Sequence, residues 1–232
     1  MTRALIVCAA VQSGGHDLVA ALAHHFDVVI GVDGGGTVCL EAGVVPTMLV
    51  GDFDSIETES LDEAAARGVP LRSYPPDKDR TDLVLAIGEA RALGVTEITV
   101  TAATSARLDH TLGALAALVE AVDLAPRIVE PDLNGWLLCA HGRASVRVRG
   151  IRATVSIVPF TPTVRLSAGG FRWPLEHADI LHTDTVGISN VVLEDGAFVT
   201  VEAGGAYVLS PRTHVPPAEE SPVSPTGTDG VY

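Results

Sequence analysis

The sequence predicts an α/β half followed by an all-β half. Across roughly the first 130 residues, short β-branched runs alternate with longer stretches of helical period, and beyond them only short strand-like runs remain. Composition sets what fills the core. The 232 residues are 47% hydrophobic but only 4% aromatic, so Val, Ala and Leu must do most of the packing.

The elements follow in order. Residues 4–11 are apolar and come after Arg3, a pattern with some likeness to a leader. The run is short and no small-residue cleavage pattern precedes Gln12-Ser13-Gly14-Gly15, so a first buried strand over 5–9 is the reading. Further strands are expected over 28–32, 48–50, 71–73, 98–101 and 127–130, with helices over 17–24, 61–67, 82–93 and 108–122. Ser60 with Glu63 reads as a capping box, and Gly68 and Gly94 stand where helix C-caps belong. Strands alternating with helices imply a Rossmann-like parallel sheet with helices on both faces, whose ligand crevice lies at the carboxyl ends of the strands. From 136 on, strands are expected over 136–140, 144–148, 154–158, 164–167, 187–193, 198–202 and 206–209, parted by Gly, Pro and Asn turns, as in an all-β sandwich. The expected division is therefore 1–131, 132–211 and a disordered tail over 212–232, where Pro, Ser, Thr and Glu dominate.

Charge narrows the function. A formal net charge of −14 repels phosphate backbones, which argues against a nucleic-acid or anionic-membrane partner and requires any ATP site to bring its own cations. No run approaches the roughly 18 apolar residues that span a bilayer. Cys8, Cys39 and Cys139 form no metal-spaced cluster and read as reduced thiols of a soluble, cytoplasmic protein.

Four clusters fall at the strand ends. Gly31-Val32-Asp33-Gly34-Gly35-Gly36 would let backbone N–H groups approach a phosphate, or simply make a tight turn. In Gly51-Asp52-Phe53-Asp54-Ser55, carboxylates at i and i+2 project to one side of an extended segment and suit Mg²⁺, which takes a few carboxylate oxygens plus substrate phosphates. The same acids also begin turns and helices. Asp77-Lys78-Asp79-Arg80-Thr81-Asp82 offers both N-cap residues and the mixed charges that metal-bound phosphates need. Arg107-Leu108-Asp109-His110-Thr111 opens a helix whose positive end, with Arg107, would hold phosphate oxygens, while His110 reads as structural.

This order of motifs resembles the thiamine pyrophosphokinase family. The family's Asp-Gly-Gly turn is Asp33-Gly34-Gly35, its Gly-Asp-Phe-Asp-Ser segment is Gly51 to Ser55, and its Asp-Lys-x-x-Thr-Asp segment is Asp77 to Asp82. Its Arg-x-Asp-His start of a helix is Arg107 to His110, and Arg172-Trp173-Pro174-Leu175 and Gly187-Ile188-Ser189-Asn190 match its later stations. The resemblance implies transfer of the diphosphate of ATP to the thiamine hydroxyl, in a homodimer with sites between subunits. It implies Mg²⁺ on Asp52, Asp54 and Asp82, with Arg107 joining these three in catalysis. It implies ATP on Lys78, Thr81, Arg107 and Asp109, Asp33 and Gly34 near the diphosphate, and Ser189 and Asn190 at thiamine. The chain departs from the family in having Ser105-Ala106 where Gly-Gly precedes the arginine, and Gly36-Thr37 where Ala-Asn follows the glycine turn. Trp173 and Trp136 are both candidates to stack on thiamine, and both also suit core packing. Two rivals stay open: a diphosphokinase for a pterin or other hydroxymethyl heterocycle, and a thiamine- or nucleotide-sensing module without turnover.

Overall fold

A computed structural model describes residues 1–75, 77 and 79–212. Lys78 and the predicted tail from 213 onward lie outside the described residues. The chain is a mixed α/β structure with one ten-stranded sheet and a second, four-stranded antiparallel sheet.

Six parallel strands come first: β1 (Arg3–Val7), β2 (Val28–Val32), β3 (Met48–Gly51), β4 (Leu71–Ser73), β5 (Glu97–Thr101) and β6 (Arg127–Glu130). Their spatial order is β6-β5-β1-β2-β3-β4. Successive strands step outward from β1 to β4, and then β5 returns to the other side of β1. The register sets Val7 opposite both Gly31 and Thr101, Val32 opposite Val50, and Gly51 opposite Ser73, so the carboxyl ends are level.

Alternation along the strands divides the core between two faces. Ala4 and Ile6 pack with Leu83, Ile87 and Leu118 of the helices α4 (Asp82–Ala92) and α5 (Leu108–Val119). Leu5 and Val7 pack oppositely, with Leu18 and Val38 of α1 (Gly15–Ala23) and α2 (Gly35–Glu41). The helix α3 (Thr58–Ala66) extends that second face through Ala64 against Leu49. Full burial of Leu5, Ile6 and Leu118 contributes about 1.5–3 kcal/mol each.

Both predicted glycine C-caps form. Gly68 is at φ 74° and Gly94 at φ 72°, where L side chains are strained. Each closes a Schellman motif: Gly68 N–H donates to Ala65 O and Val69 N–H to Ala64 O, while Gly94 donates to Arg91 O and Val95 to Ala90 O. The buried Val69 and Val95 complete them. The capping box does not form, because α3 starts earlier, with Glu57 as N-cap, and Ser60 is buried inside the helix. The helix α2 was not expected from its glycine-rich start. Those glycines are needed for packing, since a Cβ on Gly35 would lie 2.0 Å from Val7 O.

The predicted boundary at 131–134 is a tight hairpin. Strand β7 (Leu133–Cys139) pairs antiparallel with β6, Arg127 opposite Trp136, and so carries the parallel sheet directly into the second half. There β9 (Thr154–Pro159), β12 (Asn190–Val191) and β14 (Gly205–Pro211) complete the large sheet. The smaller sheet, β11-β10-β13-β8, comprises β8 (Ser145–Val148), β10 (Thr163–Gly169), β11 (Leu175–Leu181) and β13 (Ala197–Ala203). Trp136, Leu138, Ile157 and Val208 of the large sheet share one apolar core with Val146, Leu166 and Val199 of the small one. Tyr207 donates its hydroxyl to Leu115 O of α5 at 2.9 Å, tying the two halves together. The strand expected over 187–193 shrinks to Asn190–Val191, because Ser189 sits at φ 60° and turns the chain. Arg212, the first residue of the expected tail, donates its N–H to Asp132 O at 2.8 Å. Among the described residues, no helix is long and apolar enough to cross a membrane.

Candidate active site

The predicted clusters follow β2, β3, β4 and β5 on the carboxyl side of the parallel sheet, whose strand order reverses between β1 and β5. Asp33 is the hub of this rim. It follows β2 at φ 47°, a left-handed conformation that Asp adopts more readily than most residues. Its N–H donates to Val50 O, and its side chain crosses to the end of β3. There Phe53 N–H donates to Asp33 Oδ1 at 3.3 Å. Gly51 makes room: at φ 154°, a Cβ on it would stand 1.7 Å from that same oxygen. Phe53 itself is at φ 62°. Two strained turns therefore close on one carboxylate, and Gly34 N–H, donating to Ser55 Oγ at 3.2 Å, adds a second tie between them.

The acids crowd one another. Burial first, then the charge of Asp82, a side-chain hydrogen bond with Asp82 and, more weakly, the charge of Asp52 push Asp33 up to about 6 against the pull of the Phe53 N–H. A carboxylate brought close to others holds its proton more tightly. Asp82 arrives as the first residue of α4, with Thr81 as N-cap, whose hydroxyl makes no capping bond. Asp54 is exposed and donates its N–H to Asp52 Oδ1 at 3.4 Å, so the Asp52 carboxylate also forms the turn. The structure thus brings both Asp52 and Asp82 into electrostatic range of Asp33, with Asp54 beside Asp52. Among the described residues, no three of His, Cys, Asp and Glu form a ready-made metal cage.

The β5–α5 loop carries an exposed cation, Arg107. Arg107 is the N-cap of α5, and its guanidinium reaches Asp109 through Nη2–Oδ2 at 2.8 Å and Nε–Oδ1 at 3.4 Å. The hydrogen bond from Arg107 holds Asp109 below the usual carboxylate range. Both side chains are exposed, so the pair is weak and can open toward a ligand. Ser105 stands where a glycine was expected and works as a turn former. Its hydroxyl accepts from Arg107 N–H at 3.1 Å and donates to Arg107 O, while its own N–H donates to Thr111 Oγ1.

Two residues invisible as site members in the sequence belong to this rim. Glu130, at the end of β6 and 1% exposed, accepts N–H bonds from Ala102, Ala103 and Thr104. Gln12, after β1, donates to Thr104 O and Oγ1, the latter at 2.6 Å. A cleft of ≈ 370 Å³ opens beside them, lined among others by Gln12, Thr104, Asp132, Thr154 and Ser156. Only the topology, by setting β5 between β1 and β6, gives the two residues their place.

At the far end of the large sheet, Ser189 is exposed and donates its N–H to Ser156 Oγ at 3.1 Å. Asn190 is 2% exposed. Its amide accepts Trp173 N–H at 3.1 Å and donates to Trp173 O at 2.7 Å, so it supports the Trp173 loop rather than facing solvent. Exposure separates the two tryptophans. Trp136 is buried in the shared core, whereas Trp173 is 54% exposed, with Arg172 stacked 5.0 Å from its ring centroid.

Comparison with known proteins covers most of the chain. Residues 19–129 match the model of "Thiamin pyrophosphokinase, catalytic domain", and residues 145–205 that of "Thiamin pyrophosphokinase, vitamin B1 binding domain". The thiamine pyrophosphokinase of Bacillus subtilis is 29% identical over 189 residues, covering 79% of this chain and 88% of that protein. Thiamine pyrophosphokinase 2 of Arabidopsis thaliana is 26% identical over 167 residues, covering 68% of this chain and 62% of that protein. In structure, the Bacillus subtilis thiamine pyrophosphokinase crystal structure superposes with a TM-score of 0.76 at 24% identity, over 91% of this chain and 99% of that one. The Candida albicans thiamin pyrophosphokinase gives 0.74 at 15% identity, over 90% and 88%. At these identities the structures speak to the fold alone.

Proposed function

Because the chain belongs to the thiamine pyrophosphokinase family, we propose that it transfers the diphosphate of ATP to the hydroxyl of thiamine, giving thiamine diphosphate and AMP. The observation that carries the reading to this chain's own residues is the convergence of Asp33, Asp52 and Asp82 at the ends of β2 and β3 and the start of α4. Carboxylates held this near one another, with Asp33 raised to about 6 by burial and then by its acidic neighbours, are a donor set suited to a hard divalent cation beside phosphates.

Asp52, Asp54 and Asp82 are assigned to Mg²⁺, which when bound offsets phosphate charge and orients the diphosphate for in-line displacement. Asp33 and Gly34 line the turn nearest the diphosphate. Arg107 leaves Asp109 for the phosphate oxygens and, with Lys78, balances the charge that grows on them, while Asp109 stays as the arginine's partner. Thr81 offers its uncapped hydroxyl. The thiamine hydroxyl oxygen bonds to the β-phosphorus as the bond from that phosphorus to the AMP oxygen breaks. The protein's contribution is positioning and charge.

We place thiamine against the second half, with Ser189 at its edge, Trp173 as the stacking aromatic and Asn190 behind it. A parallel-sheet domain of Rossmann type, a β-sandwich, a cytoplasmic setting and a homodimer with shared sites complete the reading. The domains divide near 131–134, although the hydrogen-bonded sheet runs through that point. The Ser105 turn removes the feature that favoured a non-catalytic sensor, since its hydroxyl closes the loop instead of blocking it. Incubation with MgATP and thiamine should give thiamine diphosphate and AMP in equal amounts. Folded protein that releases no AMP under these conditions would overturn the assignment, and faster release with a hydroxymethylpterin would redirect it.

A further inference from the structure

We propose that Glu130 is the positioning residue of the phosphate-handling loop between β5 and α5, an internal anion that shapes the loop before nucleotide arrives. The inference rests on the reading of Arg107 as a phosphate ligand.

The chain leaves β5 through Ala102 at φ 53°, a strained conformation for a residue with a Cβ. That turn aims three consecutive N–H groups inward, the kind of concavity that binds anions. Glu130 fills it. Its Oε2 accepts Ala102 N–H at 3.1 Å, and its Oε1 accepts Ala103 N–H at 2.8 Å and Thr104 N–H at 3.0 Å. Burial raises the Glu130 carboxyl above its ordinary value, and the three N–H groups with the Thr104 hydroxyl pull it back, while Gln12 in turn donates to that hydroxyl. A buried carboxylate is strongly disfavoured unless its oxygens are engaged, and here every input is a donor. The turn and the acid therefore require each other.

The consequence reaches Arg107. Residues 102–104 are held by Glu130, and Ser105 is held by Thr111 and Arg107, so the loop is fixed from the end of the sheet to the start of α5. The anion-binding turn is already occupied, so substrate phosphate is directed to Arg107 and the α5 N-terminus instead. Glutamine cannot replace the acid fully. It keeps one carbonyl for Ala103 and Thr104 but sets its NH₂ against the Ala102 N–H.

The test varies MgATP and thiamine separately in steady-state kinetics of wild type, Glu130→Gln and Glu130→Ala. Binding of a non-hydrolysable ATP analogue and of thiamine is measured by calorimetry on the same proteins. The expected result is a fall in kcat/KM for MgATP of about tenfold in Glu130→Gln and about 10²-fold in Glu130→Ala, the scale of a catalytic group misplaced by an ångström. Analogue binding should weaken while thiamine affinity stays unchanged. Wild-type kinetics in both variants would overturn the proposal, as would equal loss of both ligands, which marks a merely structural role. If Glu130→Ala does not fold, Glu130→Gln decides by the same two affinities. Wild-type protein that binds the analogue but makes no thiamine diphosphate would sink the reaction assigned above, not the role of Glu130.

Discussion

The parallel and antiparallel halves share one sheet, yet they hold charge in opposite ways. On the parallel half, Glu130 is buried, Asp33 is half-buried among other acids, and the turns holding them stand at positive φ in Asp33, Phe53 and Ala102. On the antiparallel half, Arg165 pairs with Asp179, and His177 with Glu202, all on exposed side of the second sheet. Such exposed pairs contribute little to stability and are screened by salt. Buried, mutually repelling acids work against the fold and need another reason to be there. On the function proposed above, phosphate and metal work falls to the parallel strand ends, and the second half presents Trp173, the more exposed of the two exposed aromatics among its described residues.

The largest expected effects test that division at the acids. Asp52→Asn, Asp54→Asn and Asp82→Asn should each lower turnover by about 10²-fold or more, measured at saturating Mg²⁺. Asp82→Asn should leave the melting temperature equal or higher, because the amide can keep the hydrogen bond to Asp33 while the repelling charge is gone. Wild-type turnover in any of the three would remove that residue from the metal set.

Gly51→Ala sharpens the comparison without altering charge. Its Cβ would displace Asp33 from the end of β3, so turnover should fall by about 10²-fold, as for a catalytic group moved by an ångström. An active Gly51→Ala enzyme would show that the position of Asp33 does not matter.

The tryptophans contrast the second half with itself. Trp136→Ala should cost about 3–5 kcal/mol in denaturant unfolding. Trp173→Ala should stay within about 0.5 kcal/mol of wild type yet raise KM for thiamine. Reversal of that pattern would put thiamine elsewhere.

The smallest effect is on pH. The folded-state value of Asp33, raised to about 6 from 3.8, means the native metal-free protein binds more protons than the unfolded chain between those values. Asp33 therefore makes stability decline as pH rises from about 4 to about 6, after which its penalty is complete. Unfolding in chelator across that range should show the decline, and Asp33→Asn should flatten it.

Much of this was legible in the sequence, for reasons that mark the limit. Gly51 to Ser55 and Arg107 to His110 are local in sequence, and strand periodicity alone set them at carboxyl ends. Both glycine C-caps were readable because a Schellman motif is closed by neighbours. Glu130 was not, because an acid that ends an apolar strand reads as any strand-end residue until β5 is laid beside β6. The helix α2 was hidden because Gly35 and Gly36 lower helix propensity, and only the approach to Val7 O requires Gly35. Strand β11 was missed because its one deeply buried residue, Ile180, leaves no alternation to read.

One measurement bears on the whole account: a crystal structure with Mg²⁺ and a non-hydrolysable ATP analogue. The account predicts oxygens of Asp52, Asp54 and Asp82 around a single cation that also touches the phosphates, with Arg107 turned from Asp109 to the same phosphates. Nucleotide bound with those carboxylates splayed away from any common ion would contradict it.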